Sequence, residues 1–178
     1  MKSYRIVIGL LFFVLSTNTK AQQLSLKPLS FLGVATNLGG EYAYNGGGFE
    51  LAYQQDVWKG RVLGGLEYRM VTWGNELGIN LGYNMPFWTK GQWRASVSAQ
   101  AQIGWALFYQ KSLLIWGIEC VPEIEWHSNK AFFATIGFGI RYSNCPAYEN
   151  YGAITSVIDL PIKIGLGFYL NNKKRQNR

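Results

Sequence analysis

The sequence predicts an all-β fold: an eight-stranded antiparallel up-and-down β-barrel that crosses a membrane. Three observations carry this. Apolar and polar residues alternate with period two in segment after segment, the signature of strands. Charged residues make up only 15% of the 178 residues while aromatics reach 16%, and soluble domains carry roughly 25% charge. The polar positions of the alternation are rich in Gly and Ser, and the apolar ones in Leu, Ile, Phe and Trp.

The chain opens on a segment of a different kind. Lys2 and Arg5 precede an apolar run, Ile6 to Leu15, and Ser16 to Ala21 is small and polar. This reads as a secretory signal over residues 1–21, with cleavage leaving Gln22 first. The run is too short for a transmembrane helix, which needs about 20 apolar residues. Residues 22–170 form the barrel and residues 171–178 a basic tail. The formal net charge of +7 misleads. Lys2, Arg5 and Lys20 leave with the signal, and Lys173, Lys174, Arg175 and Arg178 sit in the tail. The body holds 10 basic and 10 acidic residues. With no basic face, nucleic acid is excluded as a partner.

The first strand, Leu29 to Asn37, has no clear faces. The second, Gly48 to Val57, sets Phe49, Leu51 and Tyr53 against Glu50, Ala52 and Gln54. The third, Arg61 to Trp73, sets Leu66, Tyr68 and Met70 against Glu67 and Arg69. The fourth, Glu76 to Phe87, and the fifth, Gln92 to Tyr109, alternate throughout. The sixth, Leu113 to Trp126, places Glu119, Glu123 and Glu125 on one face. The seventh, Ala131 to Tyr142, and the eighth, Ser156 to Leu170, complete the set. Short turns at Trp58-Lys59-Gly60, Thr89-Lys90-Gly91 and His127 to Lys130 contrast with longer connections at Leu38 to Gly47 and Ser143 to Thr155. This is the layout of outer-membrane barrels, with the short turns on the periplasmic side. Pro86, Pro122 and Pro161 cannot donate to a ladder and are expected at bulges or strand ends.

Polarity follows from size. An eight-stranded lumen holds little beyond its own side chains, so the face of Gly, Ser and a few long polar residues belongs inside. The bulky apolar face suits acyl chains. The alternative, a soluble periplasmic lipid-binding barrel, points its large apolar residues inward and covers itself with charge. Trp58, Trp88, Trp93 and Trp126 lie near the short turns, and Trp73, Trp105, Tyr109 and Tyr142 near the opposite ends, as two interfacial girdles would.

The inward face collects Glu50, Glu67, Glu119, Glu123, Glu125 and Asp159 against Arg61, Arg69, Arg94, Arg141 and Lys163. Unpaired buried charge is costly, so mutual pairing in a filled lumen is expected. An ion or proton path is the other reading. The three glutamates of the sixth strand are expected to pair with the arginines rather than to bind Ca²⁺, because any period-two strand lines up such residues. His127-Ser128 sits in a tight turn with no orienting acid in view, which argues against a nucleophile and base. His127 is the only histidine, and neither a metal nor a cofactor is expected. Cys120 falls opposite about Gly137, which puts Cys145 some 26 Å away at the strand rise. Two free thiols follow.

The whole body resembles the small outer-membrane β-barrels of Gram-negative bacteria, of the OmpA/OmpX type. The last strand resembles their assembly signal at Lys163, Gly165, Phe168 and Leu170. The resemblance implies the barrel-assembly machinery as a partner, outer-membrane lipid and lipopolysaccharide as surroundings, and a structural, adhesive or partner-binding role through the loops. Ser143 to Thr155, with Tyr148 and Tyr151, is the foremost loop. Arg141-Tyr142-Ser143-Asn144, with Glu149 beyond, also resembles the His-x-Ser-Asn region of outer-membrane lipid A deacylases. Arg141 stands where that family has its histidine base, so this alternative implies an inactive copy.

Overall fold

The computed structural model describes residues 22–37, 40–71, 74–108, 111–128, 132–151 and 155–169. The signal segment, the basic tail, Trp73, Tyr109 and Leu170 lie outside these. Nine strand segments form one antiparallel sheet: β1 (Gln22–Asn37), β2 (Gly40–Val57), β3 (Gly60–Val71), β4 (Gly74–Lys90), β5 (Trp93–Phe108), β6 (Lys111–His127), β7 (Phe132–Phe138), β8 (Ile140–Asn144) and β9 (Ser156–Tyr169). Each pairs with the next around the sheet, and β1 also pairs with β9, so the sheet closes on itself.

The segments occupy eight positions, because β7 and β8 are one strand. Both pair with β6 on one side and β9 on the other, with no shift in register between them. The break at Gly139 has a cause across the ladder. Gly139 N–H donates to the Pro161 carbonyl at 3.0 Å. In an antiparallel hydrogen-bonded pair the partner donates back, and proline has no N–H to give. Pro161 therefore removes one rung without ending a strand. Pro122 faces Val97 in unbroken register. Only Pro86 marks a bulge, where the pairing shifts between Pro86 and Trp88. Of the three prolines expected at bulges or ends, two instead sit within regular strands.

The strand ends differ most at the start. β1 begins at Gln22, seven residues before the expected Leu29, so Ser25 and Lys27 join the wall. The expected connection from Leu38 to Gly47 is not a loop, since β1 and β2 pair up to Asn37 and Gly40. Of the longer connections only the stretch from β8 to β9 remains, and it holds a 3₁₀ helix, Pro146–Tyr151.

Pairing fixes the barrel's geometry. A path of Cα partners leaves β1 at Leu26, passes Leu51, Leu66, Ile79, Ile103, Trp116, Asn144 and Ser156, and returns to β1 at Thr36. It comes back ten residues further along. That stagger tilts the strands by roughly 40° to the barrel axis. The burial pattern alternates along β6 and β9 residue by residue. Ions face in: Glu50 and Lys163 are fully buried, while Leu81, Phe87, Ile118 and Phe168 are more than half exposed.

Glycines make room for the long inward side chains. A Cβ on Gly78 would lie 2.4 Å from Gln102 Nε2, and one on Gly165 would lie 2.7 Å from Lys27 Cγ. Apolar and aromatic groups gather at both ends of the lumen. Ala106, Leu113, Ile115 and Cys145 cluster at the long-connection end, with Ala147 of the 3₁₀ helix packed on them. At the short-turn end Phe133, Tyr169 and His127 stack, with Tyr169 5.2 Å from Phe133 and 5.7 Å from His127.

Candidate functional site: a sealed lumen of paired charges

β2 and β3 bring Glu50 and Glu67 directly opposite one another. Two carboxylates side by side repel, so the wall needs cations from elsewhere. They come from across the lumen. Arg141 of β8 reaches Glu67, with its Nη2 donating to Glu67 Oε2 at 2.8 Å, and also binds Glu119 on the neighbouring β6. Lys163 of β9 donates to Glu50 Oε2 at 2.7 Å and also meets Glu119. Asn80 adds a donor to Glu67 at 3.0 Å.

The same crossing recurs above and below this level. Toward the long connection, Arg69 bonds Asp159 of β9 and lies 3.1 Å from Glu76 of β4. Toward the short turns, Lys27 Nζ meets Glu123 Oε1 at 2.7 Å. Lowest of all, Arg61 makes a bidentate pair with Glu125 at 2.7 and 3.1 Å and meets Asp56 at 3.2 Å. Arg61, Lys27, Arg69 and Arg141 each pair with a carboxylate at least two strand positions away. The ion pairs are struts across the barrel, and bidentate arginine geometry makes them directional.

Every buried carboxylate in this set has a cation within 4.0 Å. The arrangement fills the lumen with neutralised charge.

Sequence reasoning brought most of these residues together but missed two and misjudged two. Lys27 and Glu76 were not counted among the inward charges, and both are buried members of it. The alternation Leu24-Ser25-Leu26-Lys27 was the available signal, obscured by Pro28. Glu76 was on the polar face of the fourth strand but was not carried into the network. Arg94 was expected inside it, and among the described residues it forms no ion pair. It faces Glu125 across the β5–β6 ladder, where Arg61 and His127 already occupy that carboxylate. His127 does have an acid nearby: its Nε2 lies 2.8 Å from Glu125 Oε1, and its Nδ1 meets the Tyr169 hydroxyl. It is buried at the end of β6 rather than held in a turn. Ser128, its neighbour in sequence, is outside that cluster.

Ser143 is buried and points into the lumen beside Arg141, so the wall's outer face carries no such serine. Cys120 is exposed and Cys145 buried, and neither is in a disulfide. Cys120 faces Ile140, not Gly137, and Cys145 lies five residues beyond Ile140 on the opposite face. Of the residues that resemble an assembly signal, Lys163 is bonded to Glu50, Gly165 leaves space for Lys27, and Phe168 faces outward against Phe132.

The aromatics face out. At the short-turn end Trp88 and Trp93 are exposed, Trp58 is 93% exposed, and Trp126 is half-buried against Phe132. At the other end Trp105 is exposed and Tyr142 packs on Trp116, which the sequence reading had not counted in that girdle.

The chain is similar in structure to Neisserial surface protein A, with a TM-score of 0.58, 9% identity, and 82% of this chain and 96% of that one covered. It is also similar to Ail, the attachment invasion locus protein of Yersinia pestis, with a TM-score of 0.52, 12% identity, and 85% and 100% covered. The fold is that of the small outer-membrane β-barrels. No protein-family model matches the chain, and neither does any curated protein sequence.

Proposed function

We propose that this chain is an outer-membrane barrel whose sealed lumen serves as a rigid mount, and that its role is adhesion or partner binding at the long-connection end. The observation that carries this is the inverted polarity. Paired ions are buried, while Leu, Ile, Phe and Trp cover the outside. A soluble lipid-binding barrel has the opposite arrangement. Backbone groups in lipid must be paired internally, which the β1–β9 closure achieves.

The long-connection end offers a raised surface. Among the described residues β2 pairs with β3 up to Gly46, and Gly40 to Asn45 continue with β1 as their partner. That is roughly 20 Å of strand. The β8–β9 connection lies beside this hairpin, because Thr36 pairs with Ser156. The printed names of the two similar structures, a surface protein and an attachment invasion protein, support an adhesive reading. Lys163, Gly165, Phe168 and Leu170 are the residues the assembly machinery would read.

The test has two parts. Membrane fractionation with heat-modifiable gel migration should recover the chain in the outer membrane with a faster unheated band. Recovery in the soluble periplasm would overturn the membrane reading. Replacing Gly40 to Asn45 by a tight turn should abolish binding to host-cell surface or matrix in a cell-adhesion assay, with the heat-modifiable band retained. Unchanged adhesion would overturn the role of the hairpin.

A further inference from the structure

The short-turn rim carries a surface that neither the lumen nor the raised hairpin uses. The β2–β3 turn is Trp58-Lys59, flanked by the paired Val57 and Gly60. Both turn residues are exposed. The β4–β5 turn, two strands away around the rim, brings Trp88, Lys90 and Trp93 to the surface, all exposed. Two strand spacings separate the turns sideways by about 10 Å. Because Arg61 pairs with Asn84, the β4 edge runs on past the β2–β3 turn to Lys90, roughly 20 Å along the strand from that pair.

Charge on this rim is one-sided. Among the described residues of these two turns and their flanks, the acid is Asp56, and Arg61 holds it at 3.2 Å. Among the described residues Lys59 and Lys90 form no ion pair. Their two positive charges face outward.

The indoles are presented at a conformational cost. Trp58 has a φ of 57°, the left-handed region that bulky residues rarely adopt. The first position of a two-residue hairpin loop with positive φ favours glycine. Tryptophan there leaves its ring 93% exposed, clear of the wall. Indoles settle at headgroup depth in a bilayer, and lysines beside them lie at the level of lipid phosphates.

Resting on the membrane reading above, we infer that the short-turn rim is a binding surface for the anionic headgroups of glycerophospholipids. Lys59 and Lys90 pair with lipid phosphates, and Trp58, Trp88 and Trp93 fix the depth. The surface gathers phosphatidylglycerol-type lipid around the short-turn end of the barrel.

The full chain, refolded into vesicles of mixed phosphatidylcholine and phosphatidylglycerol, tests this with spin-labelled versions of each lipid. Wild type should associate with labelled phosphatidylglycerol about two- to threefold more strongly than with labelled phosphatidylcholine at low salt. The preference should vanish at about 1 M salt, where screening acts within roughly 3 Å. Lys59→Gln/Lys90→Gln should bring the ratio near one, while Lys111→Gln, at the other end, should leave it unchanged. Equal association in wild type overturns the inference, as does a ratio that the double variant leaves intact. Because both lysines are exposed turn residues, the variants should keep the heat-modifiable band; if the double variant loses it, Lys59→Gln alone should lower the ratio, and no change overturns the inference. A wild-type chain that does not float with vesicles would overturn the membrane reading itself, whereas insertion without lipid preference overturns only this inference.

Discussion

Two sides of the same lumen handle polarity differently. β1, β2, β3, β6, β8 and β9 carry most of the charges, and each buried carboxylate there has a cation partner. The inward face of β5 from Ser96 to Ala106 carries none, and it shares with β4 a row of amides. On that wall both amide atoms of Gln100 lack a hydrogen-bond partner, as do the side-chain oxygens of Gln102, Asn80 and Asn84. The difference teaches where the structure is exacting. An unpaired buried charge is far more costly than an unpaired buried amide atom, so each carboxylate keeps an opposite charge within reach even where a single oxygen, such as Glu50 Oε1 or Glu76 Oε2, makes no hydrogen bond among the described residues.

Breaking the ionic side should have the largest effect. Arg141→Met leaves Glu67 with only Asn80 and the more distant Arg69, and Glu119 with Lys163, and should cost about 3–5 kcal/mol, read as a lowered denaturant midpoint of the refolded barrel. The next test separates pairing from charge itself. Lys27→Met alone should cost about 3 kcal/mol, whereas Lys27→Met/Glu123→Met should return to within about 1 kcal/mol of wild type. If the double variant is as unstable as the single one, the ion pair holds the barrel by something other than mutual neutralisation. A steric test comes third. Gly165→Ala sets a methyl 2.6 Å from Thr135 Oγ1 and 2.7 Å from Lys27 Cγ. It should cost about 1–3 kcal/mol by unfolding titration. The amide wall should respond least. Gln100→Leu should shift stability by less than about 1 kcal/mol in either direction, and a loss as large as that of Arg141→Met would erase the distinction between the two sides.

Which way a residue points was legible from period-two alternation, and that alone placed Glu50, Glu67, Arg69, Arg141 and Lys163 inside. Which residue it meets was not. Partners across the lumen depend on the ten-residue stagger of the closed sheet, and alternation carries side but not height. Arg94 shows the gap: it points inward at the right strand, yet the carboxylate opposite is taken by Arg61 from β3. Lys27 was hidden because Pro28 interrupts the pattern just where the first strand needed to be recognised. His127 was placed in a turn because Ser128 to Lys130 look like one, and the burial that joins it to Glu125 and Tyr169 comes from the last strand folding back. The extent of β2 was equally hidden, since Gly40 to Asn45 and their Gly- and Asn-rich neighbours read as a loop.

The strut from Arg141 to Glu67 joins residues 74 positions apart in the chain. Neither group can find the other until the seventh strand position has come round to face the third. A partly assembled sheet would thus hold naked charges against hydrocarbon, where they are unwelcome at every depth. Closing the sheet and neutralising that pair therefore go together. On the membrane reading proposed above, an open sheet is disfavoured wherever those charges meet hydrocarbon.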